Sequence, residues 1–548
     1  MKKGMLMKTM DFDFRSRRSM VAGKQGMVAA SNPLAAQAGL RILQQGGTAA
    51  DAAIAAAAVM NVVAPSSTGI GGDCFALYYD ASARQVSALN GSGRAARALS
   101  LETVRAAGHE QMPHRDAVSV TVPGAVRGWA DLLERFGRLS LKETLADAIQ
   151  YASEGYPLSP VFGHSWQHSE ALLQSWPHTA DYLPNGQAPA VGQIVRLPQL
   201  AASLQRIAEQ GPDAFYEGEM ADRIATTLRD LGSPMSAADL RDHRSDWADS
   251  IHIDYRGTRI HEHPPNGQGL AALIALQICS GWPIDSLPPL SPERLHLQVE
   301  AMRVGFADAA QYVADAATHP APLDFLLSEG YAAERRAQIS PLKAMSPPSY
   351  GRPAGSSDTI YLCTVDGEGN GCSFINSLFM GWGSGIVVPG TGIFLQNRGA
   401  GFRLEPGHPN ALAGGKRPYH TIIPGMMTRD GDLCGVFGVM GGYMQPQGHL
   451  QVVSAMLDDD LNPQEALDRP RWCLGAGVSV AGDSELLLEE GISLKTMAGL
   501  ARLGHRVRPI SGADRAVFGS GQIILRDASS GVLFGGSDPR KDGLVAAY

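Results

Sequence analysis

Between Ile339 and Asp358 the chain runs ISPLKAMSPPSYGRPAGSSD, rich in proline, serine and glycine and without apolar periodicity. Such a stretch reads as an exposed loop or linker. It constrains every fold that can be drawn through it, because the chain changes character there. Upstream, SNPLAAQAGLRILQQGGTAADAAIAAAAVMNVVAP predicts two helices parted at Gly46-Gly47, the second opened by Thr48 with Asp51 three residues on. The all-round alanine surface of that second helix suits burial against close neighbours. VPGAVRGWADLLERFG, LKETLADAIQYASEG, GLAALIALQIC and LHLQVEAMRVGFADAAQYVAD are helical as well, so the first two-thirds is expected to be mostly helix with few strands. Downstream, TIYLCTVD, GCSFINSLF, GIVVPGTGIFLQN and GQIILRDASSGVLFGG read as strands, with Asp430-Gly431 as a hairpin turn. Segments 1–358 and 359–548 together imply a layered α/β architecture, sheets with helices outside them.

Composition narrows the function classes. Hydrophobic residues make up 44% and charged ones 18% of 548 residues, an ordinary globular balance with material for two to four domains. A net charge of −8 gives no electrostatic reason to expect nucleic acid or an anionic membrane as partner. The cysteines, Cys74, Cys279, Cys363, Cys372, Cys434 and Cys473, form no C-x-x-C pair. Cys363 and Cys372 fall on neighbouring strands, and buried free thiols are the expectation. The basic N-terminus has no continuous apolar run, and the longest such run, Ala52 to Ala64, is too short to span a bilayer. A cytoplasmic, reducing setting follows.

Familiar catalytic motifs fail one by one. HEQMPH (His109 to His114) puts proline where a zinc-binding helix needs histidine, and HEH (His261 to His263) has no third ligand in reach, so no metal is expected. The glycine loops GIGGD, GSGRA and GTGIFLQNRGAG complete no nucleotide-binding pattern, and no G-x-S-x-G elbow occurs. Thr359 remains, at the point where the linker ends and a strand begins. On that strand Tyr361, Cys363 and Val365 take one face and Ile360, Leu362 and Thr364 the other, before DGEGN turns the chain. A threonine hydroxyl is a poor nucleophile unless a base sits beside it, and its own α-amine, with a pKa of roughly 7.7–8.0, is one such base. That chemistry requires the bond before Thr359 to be cut. On these residues alone, a plain strand-opening threonine is the better reading, since such threonines are commonplace.

GMVAASNPLAAQAGLRILQQGGTAADAAIAAAAVMNVVAPSSTGIGGDCFALYY resembles the N-terminal signature of the γ-glutamyltranspeptidase family. The likeness continues in order through VPGAVRGW, PPNGQGLAALIALQI, LHLQVEAMRVGFAD, DTIYLCTVDGEGN, GSGIVVPGTGIFLQN, GKRPYHTIIPGMM and GVMGG. The resemblance implies an N-terminal nucleophile hydrolase with a four-layer αββα sandwich. Its precursor would cut itself between Asp358 and Thr359 into a large subunit, 1–358, and a small one, 359–548, within one fold. Thr359 matches the family's nucleophile, Ser377 falls where a second threonine orients the nucleophile's amine, and Gly441 and Gly442 match the oxyanion-hole glycines.

The substrate-binding set departs from the family pattern. Phe379 stands where Asn is usual, Arg398 where Glu or Gln is, and Gly401 replaces the Asp that pairs with a substrate ammonium. His420 and Thr421 replace a serine pair, the early arginine falls near Ser92 with Arg94 two positions on, and Ile360 follows the nucleophile in place of threonine. Losing two acids and gaining a cation disfavours an amino-acid head group and favours a carboxylate. The resemblance implies a γ-glutamyltransferase-like amide hydrolase or acyltransferase of the glutathione-hydrolase kind, without cofactor. Its partners would be a small-molecule amide, water or an amine acceptor, and its own cleaved subunit. The alternatives are a cephalosporin- or glutaryl-type acylase and a non-processing binding protein.

Overall fold

The computed structural model describes residues 18–345, 359–475 and 485–548. Fourteen strands form its two large sheets: β1 (Val21–Gly23), β2 (Met27–Ala30), β3 (Asp73–Asp80), β4 (Gln85–Gly91), β5 (Asp246–Asp249), β6 (Ile251–Tyr255), β7 (Thr258–Glu262), β8 (Ile360–Val365), β9 (Gly371–Ser377), β10 (Gly425–Arg429), β11 (Asp432–Met440), β12 (Ser520–Arg526), β13 (Leu533–Ser537) and β14 (Leu544–Ala547). One sheet has the order β1-β13-β12-β11-β10-β7-β6, the other β14-β2-β8-β9-β3-β4-β5. Each mixes strands from both sides of residue 359, so the two segments build one fold.

Three buried clusters define the layers. Met27, Phe75, Leu77, Tyr361, Cys363 and Val365 meet Met426, Val436, Met440 and Ile524 between the sheets. Ile360 and Leu362, on the opposite face of β8, pack with the helix Ala49–Val63. Ile260 and Phe437 face the helices Gly269–Ser280, Pro292–Tyr312 and Met444–Leu457. Helix, sheet, sheet, helix is the expected αββα order, and the two-fold alternation along β8 is what divides its side chains between two cores.

Local signals account for much of this. All fifteen residues of Ala49–Val63 are buried, and Thr48 with Asp51 forms a reciprocal capping box. Asp430 (φ 52°) and Gly431 (φ 85°) adopt the left-handed pair that a two-residue hairpin between β10 and β11 requires. Cys363 and Cys372 do lie on neighbouring strands, but Cys363 opposes Ser373 and the two thiols enter different cores. All six cysteines are free. The expectation of few strands before residue 359 is corrected, since seven of the fourteen come from there. Most are short, three to five residues, and give a period-two pattern too little length to show. Among the described residues no helix is long and apolar enough to cross a membrane.

Candidate active site

Strand register assembles the centre. Ile360 opposes Asn376, so Thr359, one residue earlier, stands across from Ser377 at the end of β9; Ser377 in turn opposes Asp73 at the start of β3. Residues directly opposite in antiparallel strands share a face. Tyr361, Ile375 and Phe75, two residues along in each strand, belong to the core between the sheets. Thr359, Ser377 and Asp73 therefore line up across three strands, at one end of that interior. All three are fully buried.

The contacts follow from this row. Thr359 Oγ1 and Ser377 Oγ lie 3.0 Å apart. Ser377 Oγ accepts the Phe379 N–H at 2.8 Å and a weaker bond from Arg398 Nη2 at 3.3 Å. Arg398, fully buried, also donates from Nη1 to Thr421 Oγ1 at 2.8 Å, and its guanidinium sits 4.3 Å over the Phe379 ring. Phe379 holds a positive φ of 79°, unusual for an aromatic residue, and this turn coincides with the placement of its ring beneath the cation. Neighbouring side chains pin the backbone around Arg398: Asn397 donates to His114 O at 2.6 Å and accepts from Met380 N at 3.2 Å.

Asp73 completes the cluster, and no sequence motif points to it. Its carboxylate is 3.7 Å from Arg398 Nε, accepts the Gly93 N–H at 3.2 Å, and lies 3.2 Å from His420 Nε2. The Ile422 N–H donates to His420 Nδ1 at 3.4 Å, so the ring proton is on Nε2 and points at Asp73. Burial drives the electrostatics here. It raises the Asp73 carboxyl to about 7 despite Arg398, lowers Arg398 to about 10 against the pull of Asp73, and keeps His420 neutral, well below its usual range. The visible signal was an aspartate closing GIGGD and entering the apolar run CFALYY, where an acid needs a reason.

The glycine pair joins the same neighbourhood through Gln268, whose Nε2 donates to Thr421 O at 2.6 Å and to Gly442 O at 2.8 Å. Gly441 (φ 131°) and Gly442 (φ 56°) occupy the turn between β11 and the helix Met444–Leu457, in conformations that favour glycine. At Gly401 a Cβ would stand 2.6 Å from Tyr419 O, so this backbone has no room for the family's aspartate. Arg94 lies apart, a third exposed and paired with Asp246 at 3.2 Å. The guanidinium beside Ser92 is that of Arg417, donating from Nε to Ser92 O at 2.9 Å. Asp358 lies outside the described residues. His261 and His263 are buried, with His261 bonded to Ser250 and Thr428. A cavity of about 900 Å³ lined by Arg115, Trp176, Arg223 and Val387 contains none of these residues.

The arrangement is a hydroxyl pair beside a buried cation, a set suited to acyl transfer from an amide with a negative group near its scissile bond. Comparison with known proteins places the chain in a family. The family model described as Gamma-glutamyltranspeptidase matches residues 35–548. A glutathione hydrolase-like YwrD proenzyme of Bacillus subtilis is 38% identical over 95% of this chain and 98% of its own length. An oxamate amidohydrolase proenzyme of Klebsiella pneumoniae is 34% identical over 95% and 98%. Among solved structures, a cephalosporin acylase from Bacillus halodurans is 44% identical with a TM-score of 0.92, covering 99% of both chains. The chain belongs to the gamma-glutamyltranspeptidase family, as an amidohydrolase or transferase of the N-terminal nucleophile type.

Proposed function

We propose that the chain cuts itself between Asp358 and Thr359 and then hydrolyses amides whose acyl chain ends in a carboxylate, with Arg398 and Thr421 as the seat of that carboxylate. The observation that carries this reading is Arg398, a buried guanidinium two hydrogen bonds from the Thr359 hydroxyl by way of Ser377. In self-cleavage Thr359 Oγ attacks the Asp358 carbonyl carbon, the acyl group moves from nitrogen to oxygen and so frees the Thr359 amine, and water then splits the ester to release the Asp358 carboxyl and restore the hydroxyl. In turnover that amine takes the hydroxyl proton as Oγ attacks the substrate amide, and the proton leaves with the departing amine. Ser377 orients the pair. The Gly441 and Gly442 N–H groups hold the oxyanion, each such donor contributing about 2.7–4 kcal/mol. Water then hydrolyses the threonyl ester. Phe379 and Asp73, the latter with His420 behind it, fix the guanidinium, and Arg94 has no step.

The relative named as an oxamate amidohydrolase supports an acyl group that carries a carboxylate and no ammonium, since oxamate is such an amide. A denaturing gel tests the cut. The wild type gives pieces of roughly 38 and 20 kDa, and Thr359→Ala stays at 58.0 kDa. Paired assays on glutaryl and γ-glutamyl anilides test the pocket, with kcat/KM favouring the glutaryl compound by on the order of 10-fold or more, the worth of one unbalanced charge contact. Preference for the γ-glutamyl anilide would overturn the assignment.

A further inference from the structure

Away from the nucleophile, three side chains of metal-ligating type converge where the two segments of the chain meet. His296 and Glu300 stand four residues apart on the helix Pro292–Tyr312, so they share one helix face. His505 reaches them from the loop after the helix Leu494–Arg502. One ligand atom from each lies within 4.8 Å of the other two, and all three residues are buried. His296 Nδ1 is 2.8 Å from His505 Nε2, which is 4.0 Å from Glu300 Oε1.

Their bonding partners prepare them for a cation. His296 Nε2 lies 2.8 Å from the Ser340 carbonyl, which can only accept, so that nitrogen carries the proton and Nδ1 presents its lone pair inward. A backbone carbonyl on the far nitrogen is the usual support of a metal-bound histidine. The Met345 N–H, at 2.8 Å, holds Glu300 Oε2, whereas buried Oε1 accepts no hydrogen bond among the described residues. Arg303 Nη1 stands 3.3 Å from Oε1 and equally 3.3 Å from Met345 O, a partner it can keep when a cation arrives. His505 Nδ1, buried without a hydrogen-bond partner among the described residues, can take the proton that Nε2 gives up. Ligands of a tetrahedral zinc with bonds of about 2.0–2.1 Å stand about 3.3 Å apart, so the histidines part slightly and the carboxylate closes in.

We propose that His296, Glu300 and His505 bind a first-row divalent cation, zinc in the first place, with water as the remaining ligand. Two imidazoles and one carboxylate are a zinc-type donor set. The ion would clasp helix Pro292–Tyr312, with residues 340–345 that its ligands already hold, to a loop from beyond residue 359. If the chain is cut before Thr359, that joins two subunits. The site does not depend on the proposed cut, since the uncut chain has the same ligands.

The test uses the full-length protein, stripped with a chelator and reloaded with Zn2+ or Co2+. The expected result is one ion per chain by elemental analysis, visible cobalt bands of a low-symmetry nitrogen and oxygen site, and a zinc-dependent rise in Tm. His505→Gln should weaken binding by on the order of 100-fold and abolish the Tm response. Arg303→Met, by removing the competing cation, should tighten it. His505→Gln sits at a loop rather than inside the long helix, and its fold is checked by circular dichroism. Failure of the stripped wild type to take up a stoichiometric ion, or unchanged uptake in folded His505→Gln, would overturn the assignment.

Discussion

Two buried charge clusters in this molecule are made of the same residue types and behave in opposite ways. In one, Asp538 accepts from Arg471 at 2.8 Å, Arg540 at 3.0 Å and the Gly521 N–H at 2.8 Å. Beside it Glu489 accepts from Arg540 Nε at 2.7 Å, Arg515 Nε at 2.8 Å and the Arg471 N–H at 2.7 Å. Burial alone would raise both carboxyls, but the guanidiniums outweigh it and hold both below their usual range. In the other, Asp73 faces one guanidinium at 3.7 Å, burial wins, and its carboxyl rises to about 7. The first cluster is closed, each acid held by several short charge-assisted bonds. The second is unfinished. At neutral pH Arg398 is only partly countered, which leaves it able to take another carboxylate.

Removing one cation from each cluster sharpens the contrast. Arg540→Met takes one guanidinium from both Glu489 and Asp538 in the interior, and the expected cost is about 3–5 kcal/mol, read as a large fall in the urea midpoint. Arg398→Met should leave stability within about 1 kcal/mol of wild type, because Asp73 takes up a proton near pH 7 at little cost. Its kcat/KM on a glutaryl anilide should instead fall by on the order of 100-fold, the usual scale for losing a buried charge partner. Equal destabilisation by the two substitutions would make the Arg398 cluster structural and remove the proposed seat.

How much of this was readable beforehand depends on the range over which each residue acts. The capping box at Thr48, the hairpin at Asp430-Gly431 and the two-faced strand after Thr359 are local patterns, and they appear in the structure where the sequence puts them. The change of character after residue 339 suggested a helical half and a stranded half. Hydrogen bonding between distant strands instead put seven early strands into the sheets, which no local window reports. At the site, Arg398 and Thr421 were visible as departures from a family pattern. Asp73 was not, because it has no motif partner near it in the chain; register with Ser377, over three hundred residues later, brings it into the cluster. Arg94 was chosen for its nearness in sequence to Ser92, yet Arg417, from a remote loop, supplies the charge there.

Asp73→Asn offers the smaller and finer test of the unfinished cluster. As pH climbs through about 7, wild-type Asp73 loses its proton, and the new charge counters Arg398 before any substrate arrives. KM for a carboxylate-ended anilide should therefore rise above pH 7, by up to about 10-fold per unit of altered binding free energy near 1.4 kcal/mol. Asparagine keeps the shape and cannot ionise, so its KM should stay flat over the same range. Stability changes with the same proton. The folded pKa lies above the ordinary carboxylate value of 3.8, so native Asp73 binds a proton that the unfolded chain has lost, and stability drains away as pH rises from about 4 to 7. The Tm gain of Asp73→Asn over wild type should then be larger at pH 8 than at pH 5. The amine that the proposed cut would free at Thr359 has an ordinary pKa of roughly 7.7–8.0, but as the proposed base it would act on kcat, which would rise as it deprotonates. A KM that climbs as steeply in Asp73→Asn as in wild type would assign the pH dependence to that amine, and would leave Asp73 with no part in binding.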